Sequence, residues 1–326
     1  MVPKVLVADS VHPELFERLK ECACVEVVQN LSQETLIQRV RDADILVVRG
    51  RTRVTEDVIK AAGRLKAIVR AGVGIDNVDL KAAMERGIYV LNAAEASADS
   101  VAELTIGLMI ALARKIPFLN ESMRQGLWPK DMGLGTELRG KTLGIVGLGR
   151  IGSRVARVAK AIGMKVLAYD PYVSKERALK LGVELVDFET LLRSSDFVSL
   201  HVPLTTETWR LIGERELQLM KPSAFLINTA RGGIVDEEAL ERALRRGRLA
   251  GAALDVFEVE PPPPGKGLLS LDNVIMTPHI GGFTVEAQER IASCITEDII
   301  RVIRGEEPRN RVELPKEGRE RIEEGV

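Results

Sequence analysis

The chain has few cysteines and few aromatic residues, and its charges nearly cancel. Its 326 residues include only Cys22, Cys24 and Cys294 as cysteines, too few for a disulfide framework. Cys22 and Cys24 have no second pair or nearby histidine, so we expect core packing and no metal site. Aromatic residues make up 4% of the chain and the formal net charge is −1. Interspersed charges of both signs argue against nucleic acid or an anionic membrane as the main partner.

Long apolar runs are also missing. No stretch of the sequence approaches the roughly 18 apolar residues that a membrane-spanning helix needs. The first residues enter a strand pattern directly, and no signal peptide is visible. We therefore expect a cytoplasmic protein without a membrane segment, whose partner is a small-molecule substrate.

Short apolar runs alternate with helical patterns along most of the chain. This alternation is typical of parallel sheets that helices cover on both faces. A chain of 326 residues is long for a single core, so two domains are expected. The long helical pattern that starts at Val285 could return the chain to the first domain.

A glycine-rich motif, residues 147–152, lies between an apolar run and a helical pattern, and a second apolar run ends in Asp170. A dinucleotide site uses such glycines in three ways: Gly147 for a tight turn, Gly149 for close approach of the pyrophosphate, and Gly152 for packing of helix on strand. The helix N-terminus attracts phosphates, and Asp170 can accept hydrogen bonds from the adenosine ribose hydroxyls. We therefore predict a Rossmann domain that binds NAD.

Polar residues follow three predicted strands in the second half of the chain. Arg231, Glu260 and His279 each come shortly after an apolar run. Ligands of parallel sheets bind beyond the carboxyl ends of the strands, so we expect these residues near the nicotinamide. Oxidation of an alcohol beside a carboxylate needs a group that exchanges a proton near neutral pH, usually histidine. Glu260 could stabilise the imidazolium, and Arg231 could bind the carboxylate through paired hydrogen bonds.

Other interpretations of these residues remain open. His12 lies at a predicted helix start, and His201 could line the cofactor cleft but has no obvious acidic partner. Arg231 and Glu260 could each be surface charges, although two glycines directly after Arg231 indicate a close approach of backbone.

Four motifs, residues 147–152, 228–236, 253–261 and 278–282, resemble the signatures of the D-isomer-specific 2-hydroxyacid dehydrogenases. The resemblance extends from about residue 3 to residue 305. It is strongest to members that act on D-3-phosphoglycerate, and the residues that indicate this are 48–49, 52–55, 70–79 and 135–144.

The resemblance implies an α/β fold of two doubly wound parallel-sheet domains, in which a Rossmann NAD-binding domain is inserted into a flavodoxin-like substrate domain. We expect the substrate domain at residues 1–97 and 284–309 and the NAD-binding domain at residues 98–283. An irregular arm at residues 117–139, with Phe118, Leu119, Leu127 and Trp128 exposed, is expected to join a homodimer or higher homo-oligomer. A charged tail is expected at residues 310–326.

The resemblance also implies a role for individual residues. Arg231, Glu260 and His279 are implied to be catalytic, with His279 as the acid and base. The implied contacts of NAD are Val73, Gly147, Gly149, Arg150, Ile151, Gly152, Asp170, Val202, Pro203, Thr208, Thr229, Ala230, Arg231, Asp255, His279, Gly281 and Gly282. The implied contacts of the substrate are Arg49, Arg70, Gly72, Val73, Gly74, Arg231 and His279, and the two first-domain arginines are the candidates for a phosphate.

Three functions are compatible with the sequence. The first is NAD-dependent oxidation of D-3-phosphoglycerate to 3-phosphohydroxypyruvate, the first step of serine biosynthesis by resemblance. The second is a glyoxylate or hydroxypyruvate reductase, since Phe283 departs from the small or polar residue usual in the first group. Relatives of this second kind often prefer NADP and carry a basic residue where this chain has Asp170. A remote third is an NAD-sensing binding protein like the corepressors of the family.

Overall fold

The computed structural model describes residues 2–265 and 267–313. These residues group into two compact units, one formed by the chain before residue 98 and after residue 281, the other by residues 98–281. Gly282 and Phe283 therefore group with the first unit, although the sequence suggested the second. Most of the tail expected at residues 310–326 lies outside the described residues, which end at Glu313.

The first unit contains a parallel sheet of five strands in the order β2-β1-β3-β4-β5. The strands are β1 Lys4–Val7, β2 Cys24–Val27, β3 Ile45–Val48, β4 Ala67–Arg70 and β5 Tyr89–Asn92. The helices that connect them are α1 Glu14–Leu19, α2 Gln33–Arg39, α3 Glu56–Ala61 and α4 Leu80–Glu85.

The second unit contains a parallel sheet of seven strands in the order β12-β11-β10-β9-β6-β7-β8. Its strands are β6 Thr142–Val146, β7 Lys165–Tyr169, β8 Glu184–Leu185, β9 Phe197–Leu200, β10 Phe225–Asn228, β11 Gly251–Leu254 and β12 Val274–Met276. Its helices are α5 Ala98–Ala113, α6 Ile116–Arg124, α7 Arg150–Ala161, α8 Lys175–Leu181, α9 Phe188–Ser194, α10 Glu214–Leu219 and α11 Glu237–Arg245. The chain then forms α12 Val285–Ile303, which belongs to the first unit.

Alternating residues of the first sheet fill two cores. Leu6 and Ile68 point to the face covered by α2, α3 and α4, whereas Val5 and Val69 point to the face covered by α1 and α12. Because successive side chains of a strand point to opposite faces, a strand buried on both sides must be apolar throughout. β3 meets this demand, since all of its residues are fully buried.

The predicted fold class, two doubly wound parallel sheets, is confirmed. The order of the first sheet is the flavodoxin-like order, and the second sheet has the reversal of strand order that defines a Rossmann domain. Among the described residues, no helix is long and apolar enough to span a membrane.

Some local expectations were wrong. The arm expected to be irregular begins with α6, because Pro117 fits the first turn of a helix. Phe118 and Leu119 are partly buried rather than exposed. Cys24 is exposed on β2, which is an edge strand, and therefore does not contribute to the core.

The pair α8 and β8 was missed, although α8 has readable boundaries. The hydroxyl of Ser174 accepts a hydrogen bond from the Arg177 N–H at its start, and Gly182 ends it in the left-handed conformation. The two-residue strand β8 is too short to show an alternation of apolar and polar residues.

Candidate active site

The expected functional residues of the second unit follow the carboxyl ends of β6, β7, β9, β10, β11 and β12. These strands are neighbours in the sheet, so the loops after them lie along one edge. The chain builds outward from β6 to β8 and then returns to β9 on the other side of β6. Ligands of doubly wound sheets bind where the strand order reverses in this way.

The glycine turn after β6 has the geometry that its three predicted roles require. Gly147 has a φ of 93°, and a side chain there would bring its Cβ within 2.6 Å of the His201 carbonyl oxygen. A Cβ at Gly152 would overlap the carbonyl oxygen of Gly147, so helix α7 packs tightly on the turn. Around Gly149, by contrast, no described atom outside residues 148–150 lies within 4 Å of where a Cβ would be. Gly149 therefore faces open space, where the backbone could approach a ligand.

The start of α7 and the end of β7 fit the phosphates and the ribose of NAD. Gly149 is the N-cap of α7. Because glycine has no side chain, the N-cap residue cannot accept a side-chain hydrogen bond from the N–H groups of the first turn, which begins with Arg150 and Ile151. The carboxylate of Asp170 accepts hydrogen bonds from the N–H of Leu148 at 2.8 Å and of Tyr172 at 2.9 Å. Each oxygen keeps a second lone pair for a ribose hydroxyl, and the charge would repel a phosphate on that ribose.

The loop after β9 is held by its own hydroxyl groups. The hydroxyl of Thr208 accepts a hydrogen bond from the Thr205 N–H at 2.8 Å and donates one to the Pro203 carbonyl at 2.6 Å. The Val202 side chain lies 2.9 Å from where a Cβ on Gly147 would be. This loop therefore packs directly on the glycine turn.

Thr229 and Ala230 follow β10. Thr229 is buried, and its hydroxyl lies 2.9 Å from that of Thr105 in α5. The Ala230 N–H donates a hydrogen bond to the Asn228 side-chain oxygen at 3.0 Å. In this structure the side chain of Thr229 thus contacts the core, and its hydroxyl is directed at α5.

The loop that carries His279 is fixed by Asp255, which follows β11 and is buried. Its carboxylate accepts hydrogen bonds from the Thr277 hydroxyl at 2.6 Å, the Ile280 N–H at 2.8 Å and the Gly281 N–H at 2.7 Å. His279 has a φ of 53°, a left-handed conformation that a residue with a side chain adopts only at a cost in energy. The bonds to Asp255 on both sides of His279 offset that cost.

His279 and Glu260 form a hydrogen-bonded pair. Nδ1 of His279 lies 2.8 Å from Oε2 of Glu260, and Oε1 of Glu260 accepts a hydrogen bond from the Phe257 N–H at 3.1 Å. Burial alone would raise the pKa of Glu260, but the hydrogen bond from His279, the Phe257 N–H and the charges of His279 and Arg231 lower that pKa below its usual value. Glu260 is therefore an anion at neutral pH.

The structure distinguishes His279 from the other histidine of this unit. His201 is enclosed, and burial lowers its pKa to about 3. Its Nε2 lies 2.9 Å from the Ser199 hydroxyl, whereas its Nδ1 has no hydrogen-bond partner among the described residues. A ring that stays neutral at all ordinary pH values cannot supply the proton of a reduction.

Arg231 lies in a turn that sequence reasoning explained only in part. The buried Asn228 side chain donates to the Arg231 carbonyl at 2.8 Å and so closes the turn. Nη1 of Arg231 donates to the Ala230 carbonyl at 2.7 Å. Asn228 was missed as a site residue, although asparagine at the end of a strand is a known signal for such a turn.

In the first unit, Arg49 follows β3 and is more buried than a surface arginine. Its Nη2 donates to the Gln288 side-chain oxygen at 2.8 Å, and its guanidinium lies 5.3 Å from the centre of the Phe283 ring. Gln288 in turn donates to the Gly282 carbonyl at 2.8 Å. Burial lowers the pKa of Arg49, and the charge of Asp9 partly opposes this. The contacts of Gln288 were not expected from the sequence.

Arg70 ends β4, also in the first unit. Its guanidinium covers Gly72, where any Cβ would overlap it. The Gly72 N–H donates to the Arg70 carbonyl at 2.8 Å, and the Val73 carbonyl accepts from the Asn92 side chain at 2.6 Å. The flexible end of Arg70 could move away from such a Cβ, but Gly72 has a φ of 154°, which residues with a side chain rarely adopt. The resemblance implies that backbone N–H groups at residues 72–74 bind a substrate carboxylate, and the one of Gly72 is already bonded to the Arg70 carbonyl.

The model of the family "D-isomer specific 2-hydroxyacid dehydrogenase, NAD binding domain" matches residues 106–281. The chain belongs to this family. Its relatives include a D-3-phosphoglycerate dehydrogenase of Methanocaldococcus jannaschii, 50% identical over 98% of this chain and 61% of the relative. The chain thus spans about 60% of the length of such relatives. A hydroxypyruvate reductase of Thermotoga maritima is 47% identical over 91% of this chain and 97% of the relative.

Solved structures support the same assignment. The TT0316 protein of Thermus thermophilus superposes with a TM-score of 0.89 and 40% identity over 95% of this chain and 100% of the other. A D-lactate dehydrogenase of Aquifex aeolicus, solved with NAD and lactic acid, has a TM-score of 0.86 and 33% identity over 96% and 100%. The cofactor expected from the glycine motif, NAD, agrees with the matched NAD-binding domain.

Two glycine variants separate the binding of NAD from the stability of the turn. We expect Gly149→Ala to weaken NAD binding at least about tenfold while it changes the free energy of unfolding by less than about 1 kcal/mol, since the methyl group enters open space. Gly152→Ala should cost about 1–3 kcal/mol of stability, because its methyl group overlaps backbone. Calorimetric NAD titration and urea unfolding measure both effects. Normal NAD affinity of Gly149→Ala would contradict the placement of the cofactor.

Proposed function

We propose that the protein is a dehydrogenase that moves a hydride between C2 of a D-2-hydroxy acid and the nicotinamide of NAD. The observation that carries the proposal is the 2.8 Å hydrogen bond between Nδ1 of His279 and the anionic Glu260. This acid–base pair lies after strands of the same sheet whose glycine turn fits the cofactor. Membership in the family supports the same reaction class.

His279 and Glu260 divide the proton chemistry between them. When bound, NAD supplies the carbon that accepts or returns the hydride. Nε2 of His279 takes the hydroxyl proton during oxidation and gives it back to the carbonyl oxygen during reduction. The Glu260 carboxylate stabilises the imidazolium that forms. Since the pKa of Glu260 is lowered, this stabilisation is present at neutral pH and is lost only in acid, as the pH falls through that lowered value.

Arg231 is proposed to bind the carboxylate of the substrate. A guanidinium can form two parallel hydrogen bonds with a carboxylate and can polarise the oxygen that becomes negative during reduction. The turn closed by Asn228 fixes the backbone of Arg231, which reduces the freedom that the side chain would lose on binding.

We infer that the substrate is D-3-phosphoglycerate, oxidised to 3-phosphohydroxypyruvate on the way to serine. The relationship to D-3-phosphoglycerate dehydrogenases supports this substrate. Arg49 and Arg70 are proposed to bind its phosphate, since Arg49 directly follows β3, Arg70 ends β4, and a guanidinium matches phosphate geometry.

A hydroxypyruvate reductase is the second candidate. The observation in its favour is the 47% identity, over 91% of this chain, to the Thermotoga maritima enzyme of that name. In that case the substrate has no phosphate, and Arg49 and Arg70 do not select it.

We also propose a homodimer formed through the second unit. Large apolar side chains are exposed on α5, on α6 and in the segment that follows, namely Ile110, Ile116, Met123, Leu127, Trp128, Met132 and Leu134. Trp128 is 76% exposed and Leu134 is 85% exposed. Together these side chains form a larger exposed apolar surface than a monomeric protein usually has. We expect light scattering to give twice the chain mass of 35.8 kDa at micromolar concentration. A mass of one chain would refute the dimer.

The acid–base assignment predicts the effect of removing either partner. His279→Ala should lower kcat by roughly 10²–10⁴, with the Kd of NAD nearly unchanged. Glu260→Gln removes the anion that stabilises the imidazolium, so the pH at which activity changes should move to lower values. Steady-state rates across pH, with NAD titration as the control, measure both effects. Near-normal turnover of His279→Ala would place the base elsewhere.

The substrate assignment predicts a difference between two classes of substrate. Arg49→Ala or Arg70→Ala should raise the KM of D-3-phosphoglycerate by the equivalent of about 1.5–3 kcal/mol, the contribution of a charge-assisted hydrogen bond. The KM of unphosphorylated D-glycerate or glyoxylate should change much less. Arg51→Ala, which removes an exposed arginine from the same loop as Arg49, serves as the matched control. Equal losses for both classes would make the arginines structural and favour the reductase.

A further inference from the structure

The turn that carries Glu260 is held by a second carboxylate. Glu237 is the first residue of α11, and its Oε1 accepts a hydrogen bond from the Glu258 N–H at 2.5 Å. The preceding N–H of the same turn, that of Phe257, donates to Glu260 itself at 3.1 Å. Successive N–H groups of one turn therefore bind two different carboxylates, one of which belongs to the proposed catalytic pair.

The same turn packs without a gap against the turn of Arg231. A Cβ at Gly232 would overlap the Phe257 carbonyl and would lie 2.8 Å from the Glu258 nitrogen. Only a glycine permits this approach of two backbones. The turns that present Arg231 and Glu260 are therefore in direct backbone contact, and Glu237 bonds the second of them to the start of α11.

The electrostatic surroundings of Glu237 are unfavourable to a carboxylate. Burial raises the pKa of Glu237, and the negative charges of Glu258 and Glu260 raise it further, against the effect of the Glu258 N–H. The Glu258 carboxylate lies 3.7 Å from Arg210, which also lies 3.4 Å from Asp236. A partly buried acid among other acids is costly unless its hydrogen bonds offset the cost.

We propose that Glu237 is a positioning residue, which fixes the 257–260 turn and thereby aims the Glu260 carboxylate at Nδ1 of His279. Glu237 acts as a hydrogen-bond acceptor and does not touch the imidazole. Its effect on turnover rests on the proposed dehydrogenase function. Its effect on the His279–Glu260 pair does not, because that pair is present in the protein without substrate.

Three variants of the full chain test this role. Glu237→Ala removes the acceptor, Glu237→Gln keeps an acceptor oxygen at the same place, and Glu238→Ala removes the neighbouring acid, whose side chain is 85% exposed. The first readout is the low-field proton resonance of the His279 ring in the substrate-free protein, assigned by its absence in His279→Asn. The second is the pH–rate profile with D-3-phosphoglycerate and NAD.

We expect Glu237→Ala to shift or broaden the His279 resonance and to move the pH–rate profile to lower pH. It should also lower kcat roughly 10- to 100-fold, which is the effect of displacing a catalytic group by about 1 Å. The Kd of NAD should not change. Glu237→Gln and Glu238→Ala should keep the resonance and the profile of the unmodified protein. Circular dichroism melting of each variant monitors folding.

Two results would overturn the proposal. One is an unchanged His279 resonance and pH profile in Glu237→Ala. The other is loss of the His279 resonance in Glu237→Gln, because this variant keeps the acceptor oxygen and a hydrogen bond to it would then not explain the position of Glu260. This second result can be read even where Glu237→Ala fails to fold. If the unmodified protein oxidises no D-2-hydroxy acid but the resonances behave as expected, the proposed function fails while the positioning role of Glu237 stands.

Discussion

The hydrogen bond between His279 and Glu260 depends on backbone that other residues hold in place on both sides. His279 has a left-handed φ of 53°, which Asp255 stabilises by binding the loop around it. Glu260 lies in a turn whose N–H groups donate hydrogen bonds to Glu260 itself and to Glu237. The Phe257 carbonyl of the same turn packs against Gly232. Residues that need not touch the substrate therefore hold the pair in place, as is usual for preorganised sites.

The sequence predicted much of this arrangement because a parallel sheet brings the ends of its strands to one edge. Residues found after separate apolar runs, such as Asp170, Arg231 and His279, follow strands of one parallel sheet. The glycine motif was equally informative, since each of Gly147, Gly149 and Gly152 has a distinct steric surrounding in the structure. The spacing of residues along the chain predicts which of them lie close together when the strands follow one another in a regular topology.

Most of the features that the sequence did not predict are bonds between groups that are distant along the chain. Glu237 and Gln288 are ordinary polar residues in the sequence, and their importance follows from the Glu258 N–H and the Arg49 guanidinium, which only the folded chain brings near them. Asn228 differs, because it bonds a carbonyl three residues ahead and so carried a local signal that was overlooked. Thr229 illustrates the reverse case, since its hydroxyl contacts Thr105 in α5. The direction of a side chain depends on tertiary packing. Neither the spacing of apolar residues nor the spacing of motifs predicts it.

In the proposed reaction, hydride passes directly from C2 of a D-2-hydroxy acid to NAD. This transfer can be measured with D-3-phosphoglycerate that carries deuterium at C2 and mass spectrometry of the reduced cofactor. We expect one deuterium in NADH from the D-isomer and none from the L-isomer. NADH without deuterium, or equal transfer from both isomers, would contradict it.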